Sequence, residues 1–234
     1  MDCCEHFDIE QYLSVLPLFG DLSPAQRQRL VAGCALQPFA QGQQVFSVSD
    51  QCQAFYVVVT GKVKLYVASP SGQEKVIELI APSQSFAEAF LFLDMACMVN
   101  AQALSDSLLL RISKAVVVGE IQRDPQLAMN MLAGISRRMH GLIRDVEGYA
   151  LHSGTQRLIG YLLREIESGA CTPGEGCLTV ALSASKATIA SRLSLTPEYF
   201  SRVLHELEVA GLIEIQKREI RILNVPALAA FGSH

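Results

Sequence analysis

One stretch of strict periodicity constrains this chain more than any other feature. Ala128, Leu132, Ile135, Met139, Leu142, Val146 and Tyr149 recur at spacings of 4, 3, 4, 3, 4 and 3. That alternation is an a/d heptad seam, with Arg137, Arg138, Arg144, Asp145 and Glu147 lying off it. Asp124-Pro125 supplies a cap and then a proline at the first helical position. A helix packing on its own domain usually carries a broader stripe, so the narrow seam predicts self-association as a parallel homodimer.

The periods on either side of that helix differ, which predicts three parts: 1–122, 123–152 and 153–234. In the first, Ser23-Pro24-Ala25-Gln26 opens a short helix with a capping box. Short apolar runs follow: Gln44–Phe46, Ala54–Val59, Val63–Val67, Val76–Ile80 and Leu108–Ile112. Thr60-Gly61-Lys62 and Ser69-Pro70-Ser71-Gly72 punctuate them. Strands at roughly 8–12-residue spacing predict an antiparallel roll. The fold class expected is α+β: a β-roll, a long dimerisation helix and a C-terminal winged helix-turn-helix.

That last expectation comes from caps and turns. Past His152-Ser153-Gly154, read as a hinge, an amphipathic helix covers Thr155–Ser168, and a loop containing Pro173, Gly174 and Gly176 leads to a strand at Leu178–Leu182. Ser185 caps a helix over Lys186–Leu193; after Ser194-Leu195, Thr196-Pro197-Glu198 starts another, which ends at Gly211. Strand, turn and strand over Leu212–Leu223 complete a helix-turn-helix with a wing. The second helix presents Glu198, Ser201 and Arg202 at offsets of 3 and 4, on one side. A guanidinium can bond guanine O6 and N7 together, and a carboxylate can accept from the cytosine amino group. Arg202 and Glu198, one turn apart, could hold each other in place for a G·C pair. Thr196 sits where a helix N-terminus meets phosphate, and Lys186, Lys217 and Arg218 are placed as backbone contacts. Double-stranded DNA is the expected partner.

Charge and composition fit a local rather than a general polyanion surface. Residues 1–152 hold 11 Lys/Arg and 15 Asp/Glu, a balance of −4, and residues 153–234 hold 8 of each. Half of the chain is hydrophobic, and no run of about 18 uncharged apolar residues occurs. The acidic opening MDCCEHFD lacks the basic region of a signal peptide, so a cytoplasmic protein is expected, with no membrane contact. Seven cysteines, at 3, 4, 34, 52, 97, 171 and 177, are too scattered for a disulfide framework and read as free thiols. No G-x-S-x-G, P-loop, H-E-x-x-H or G-x-G-x-x-G pattern points to an enzyme.

The order of parts, from about Leu18 to Leu223, resembles the family of the cyclic-AMP receptor protein and the fumarate–nitrate reductase regulator (CRP/FNR). Thr196-Pro-Glu-Tyr-Phe-Ser-Arg202 is similar to that family's Glu-x-x-Ser-Arg recognition motif. The resemblance implies inverted repeats with TTGAT-like half-sites and contact with RNA polymerase. Relatives that bind cyclic nucleotides use Gly-Glu followed by Arg-Ser. Here Ala87-Glu88 precede Met98-Val99, so no cation remains in the segment to meet a phosphate, and cyclic AMP is not expected. Cys3-Cys4 followed only by Cys34 does not supply an iron–sulfur set, so no such cluster is expected.

What remains is an apolar run read as an effector pocket of Glu88, Phe90, Phe92, Met95, Met98 and Val99; the same run also reads as ordinary core. Gln73-Glu-Lys75, Phe86-Ala-Glu-Ala89 and Phe92-x-Asp94 resemble the dissimilatory nitrate respiration regulators. That likeness implies haem and nitric-oxide sensing, with His6, Cys97 and His140 as the candidate ligands. A different small apolar ligand or thiol redox state is the alternative signal.

Overall fold

The structure is a computed structural model and describes residues 7–167, 171–174 and 177–231. It divides into two compact units, Met1–Gln73 with Ile77–Gly141, and Glu74–Val76 with Leu142–His234. The division falls inside the long helix, not at the ends expected for a separate segment 123–152.

In the first unit, helices α1 (Ile9–Val15) and α2 (Pro24–Val31) precede the roll. Ser23 caps α2 in a complete capping box: its hydroxyl accepts from the Gln26 amide while the Gln26 side chain accepts from the Ser23 amide. Two antiparallel sheets form the roll. One has the order β1 (Cys34–Phe39), β8 (Ser107–Ser113), β3 (Ala54–Thr60), β6 (Ser85–Phe86). The other runs β2 (Gln44–Phe46), β7 (Asn100–Ala103), β4 (Val63–Ala68), β5 (Glu74–Ile80). Phe19, Phe55, Phe86, Leu109, Leu110 and Ile112 are fully buried in the core of this unit. Gly61 turns β3 into β4 with a φ of +84°, and a Cβ there would meet the Ser107 hydroxyl at 2.2 Å and the Asp106 carbonyl at 2.6 Å. Only glycine meets both demands.

Between β6 and β7 lies α3 (Glu88–Leu93), a short helix entered through Ala87 in the left-handed region. After β8 come α4 (Lys114–Arg123) and the long α5 (Gln126–Leu151).

The second unit packs α6 (Gly154–Glu167), α7 (Lys186–Arg192), α8 (Pro197–Val209) and α9 (Val225–Phe231) with a third antiparallel sheet. That sheet has the order β11 (Ile213–Gln216), β12 (Glu219–Ile222), β10 (Cys177–Ala181), β9 (Cys171–Gly174). The stretch expected as a loop around Pro173 and Gly174 therefore contributes a strand, paired with β10. Leu158, Leu162, Ile189, Phe200, Leu204, Leu207 and Ile220 make the core. Gly154 opens α6 rather than serving as a free hinge: a Cβ there would lie 2.4 Å from the Tyr199 ring.

Candidate functional site

The helix-turn-helix is built by its caps. Ser185 accepts from the Thr188 amide at 3.1 Å to start α7, and Thr196 accepts from the Tyr199 amide at 3.2 Å to start α8. Between them Ser194 takes a φ of +55°, the left-handed residue that turns one helix into the next. Phe200, Val203, Leu204 and Leu207 bury the inner face of α8, which leaves Glu198, Ser201 and Arg202 exposed on the outer one. Lys217 and Arg218 form the exposed tip of the β11–β12 hairpin, and Lys186 is half-buried in the first turn of α7.

One pairing differs from expectation. Arg202 lies 3.8 Å from Glu206, not against Glu198, and its guanidinium sits 4.6 Å above the centre of the Tyr199 ring. Both glutamates are one turn from Arg202, and Glu198 is exposed.

The α7 helix is tied to the end of α5 by a network the sequence did not reveal. Arg192 donates to Asp145 at 2.6 Å and to the Tyr149 hydroxyl at 2.9 Å; that hydroxyl in turn donates to the Arg192 carbonyl at 2.7 Å. Tyr149, expected in the dimer seam, thus faces Arg192. Of the other residues at the seam spacing, Leu132, Met139, Leu142 and Val146 are 40–65% exposed, while Ala128 and Ile135 are half-buried. Met129, Ile143 and Leu151 extend the exposed apolar surface of α5.

In the first unit a cavity of about 270 Å³, counting its mouth, is lined by Leu18, Ser85, Glu88, Met131, Gly134, Ile135 and Arg138. Of the residues expected to form an effector pocket, only Glu88 lines it. Phe92, Met95 and Met98 are exposed, and Phe90 and Val99 pack at the edge of the roll core. The reason is the geometry of α3: its inward positions go to Glu88 and Leu91, which turns Phe92 and Leu93 outward.

The cavity holds a cation that sequence reasoning missed. Arg138, on the off-seam face of α5, donates through Nη1 to Glu88 at 2.9 Å and through Nε to Glu78 at 3.3 Å, and also donates to the Ser85 carbonyl. Burial opposes the guanidinium charge, but the two carboxylates prevail and raise its pKa above the ordinary arginine value. The expectation that no cation remains holds for the Met98-Val99 segment and fails for the cavity. No signal in sequence spacing links residues 50–60 positions apart. With each of its three nitrogens already engaged, Arg138 is neutralised, so an incoming anion would have to displace a carboxylate.

This cavity does not fit haem as it stands. The enclosed space is about 50 Å³, far below the roughly 300–1,000 Å³ of typical ligand pockets, and no histidine or cysteine lines it. Cys97 is 3% exposed, and burial pushes its thiol up to about 12, which disfavours a thiolate ligand. His140 is exposed on α5, and His6 lies outside the described residues. Among the described residues no cluster of His, Cys, Asp or Glu could hold a metal ion, and no helix is long and apolar enough to cross a membrane.

A roll followed by a long helix and a winged helix-turn-helix defines a class of DNA-binding regulators. Comparison narrows the class. Residues 36–124 match the cyclic nucleotide-binding domain, and residues 156–231 match the Crp-like helix-turn-helix domain. DNR from Pseudomonas aeruginosa is 37% identical, with 97% of this chain and 99% of that one covered and a TM-score of 0.51. The cyclic AMP receptor protein of Thermus thermophilus is 26% identical over 92% of this chain and 97% of its own length. FixK2 from Bradyrhizobium japonicum, at 20% identity, shares the fold with a TM-score of 0.75 over 84% of this chain and 96% of that one. The chain belongs to the CRP/FNR family. Its relatives are transcriptional regulators, and it is a DNA-binding transcriptional regulator rather than an enzyme.

Proposed function

We propose that the protein is a cytoplasmic, homodimeric regulator that binds inverted repeats with TTGAT-like half-sites and acts with RNA polymerase. The observation that carries this reading is the outer face of α8, where Glu198, Ser201 and Arg202 stand exposed beside the wing tip of Lys217 and Arg218. Arg202 reads guanine and Glu198 the cytosine amino group, while Thr196, Lys186, Lys217 and Arg218 engage phosphates. The exposed seam of Leu132, Met139, Leu142 and Val146 supplies the dimer contact, and two-fold symmetry matches an inverted repeat. A mobility-shift titration on a TTGAT palindrome, beside the same duplex with the G·C pairs inverted, tests it. Preference for the palindrome by at least tenfold is expected; equal binding to both duplexes would overturn the reading.

Haem-dependent sensing of nitric oxide is a separate proposal, supported by the likeness to DNR and by Met98-Val99 at the phosphate position. The cavity described above does not seat haem as it stands. A haem titration tests the proposal: a saturable Soret band is expected, and its absence would leave a different small apolar ligand or thiol chemistry as the signal.

A further inference from the structure

Two thiols of the first unit are partners of one another, and neither the DNA reading nor the cavity uses them. Cys52 leads into β3, and Cys97 lies between α3 and β7. An isolated antiparallel bridge joins Gln51 to Ala96, and alternation along extended chain places Cys52 and Cys97 on the same side of their two segments. The crossing is tied at Cys97 itself, whose amide donates to the Asp50 carbonyl and whose carbonyl accepts from the Ser49 amide, both at 2.9 Å. The Cys52 thiol donates to the Ala54 carbonyl at 3.2 Å, and the two thiols are near enough for each to affect the acidity of the other. Cys97 is 3% exposed and Cys52 is half-buried, so a reagent in solvent meets Cys52 first.

We propose that Cys52 and Cys97 are a redox-active dithiol that closes into an intrachain disulfide when the protein meets a small-molecule disulfide oxidant. Cys52 is the attacking thiol and Cys97 the resolving one. Burial raises both thiols, but the nearby Lys114 charge favours a thiolate at Cys52 while the Asp50 charge works against one at Cys97. In the first step the Cys52 thiolate attacks one sulfur of the oxidant R–S–S–R, forming Cys52–S–S–R and releasing RS⁻. In the second, Cys97 loses its proton and attacks the Cys52 sulfur, expelling the second RS⁻. The two protein thiols give up two electrons and two protons; the oxidant takes them and leaves as two RSH. Burial raises both thiols, so oxidation is slow at neutral pH and quickens about tenfold per pH unit as the thiolate fraction grows. The bond would tie the segment leaving α3 to the segment entering β3. It would form 3.7 Å from the carbonyl of Ala87, the residue before Glu88, if the Cys52 sulfur stays where it stands.

The test uses the full reduced chain and oxidised glutathione at pH 8.5, followed by acid quenching, alkylation under unfolding conditions and non-reducing peptide mapping. The expected product is a Cys52–Cys97 cross-linked peptide in the major fraction, with two equivalents of glutathione released per bond. The Cys97→Ser variant should accumulate a stable glutathione adduct on Cys52. The Cys52→Ser variant should leave Cys97 open to alkylation only after unfolding. A wild-type chain that carries a lasting glutathione adduct on Cys52 with Cys97 still alkylatable would overturn the proposal. So would a chain in which neither thiol reacts, or a Cys52→Ser variant whose Cys97 reacts as fast as in the wild type. The wild-type map decides the matter even if either variant fails to fold.

Discussion

Replacing Arg138 by Met would convert the cavity's ion-pair cluster into a buried carboxylate without a partner, and the cost can be worked out. Glu88, with a side chain only 8% exposed, depends on Arg138 for its 2.9 Å bond, whereas Glu78, at 26%, can turn to water. Breaking one side of a buried pair costs about 3–5 kcal/mol. A carboxyl has an escape: it can enter the folded state protonated, at about 1.36 kcal/mol for each pH unit above an ordinary glutamate pKa of about 4.3. At pH 7 that escape costs about 3.7 kcal/mol and at pH 5 about 1 kcal/mol. The lost donor to the Ser85 carbonyl adds about 1 kcal/mol at either pH. Proton uptake on folding makes stability fall as pH rises, so the variant's deficit should be about 2–3 kcal/mol larger at pH 7 than at pH 5. The chain has no tryptophan, so urea unfolding at matched ionic strength is followed by circular dichroism. Adding Glu88→Gln should recover most of the deficit at pH 7. An equal deficit at both pH values, or a double variant no more stable than Arg138→Met, would refute the reasoning.

Arg202→Ala should cost about 1–3 kcal/mol per half-site and flatten the preference at the G·C pair, while Lys217→Ala should weaken all sequences alike and lower the salt slope by about one; mobility shifts over a salt series separate the two. Charged residues at Ile135 and Leu142 would place unpaired charge in the seam at a cost of several kcal/mol, and sedimentation at micromolar concentration should then show monomer. A full dimer would remove the seam assignment. Gly61→Ala should destabilise the roll by about 2–3 kcal/mol, from left-handed backbone cost and overpacking against Ser107, read as a lowered Tm.

Where local chemistry decides structure, the sequence was legible. Apolar runs between Gly and Ser punctuation marked β3, β4 and β8 to within a residue or two, and the serine and threonine caps marked α7 and α8. The strand β1 escaped because Pro38 sits inside it, which an edge position tolerates and a central one does not. The effector residues escaped for a different reason. The five apolar residues in succession from Ala89 to Leu93 carry no sign of which face is inward, and it was Glu88, paired with Arg138, that took the inner position. The heptad spacing of Arg138 says only that it lies off the seam. Its partners come from β5 and α3, and only the tertiary fold brings those to α5. Arg202 had glutamates one turn away on both sides, and helical spacing alone could not choose between them.

Tyr149 has the spacing of the seam and also meets α7: its hydroxyl donates to the Arg192 carbonyl and accepts from the Arg192 guanidinium. Its ring can serve an apolar seam while its hydroxyl anchors α7, and Tyr149→Phe separates the two roles. The substitution removes one bond to a carbonyl, one from a guanidinium and one from the Lys75 ammonium at 3.3 Å, although Arg192 keeps Asp145 at 2.6 Å. A net local loss of about 1–2 kcal/mol should speed amide exchange in α7 roughly 5–30-fold. The dimer should sediment unchanged, because no apolar atom is lost. Unchanged exchange in α7 would show that Asp145 alone holds Arg192. A weakened dimer would show that the hydroxyl, not the ring, is what the partner helix meets.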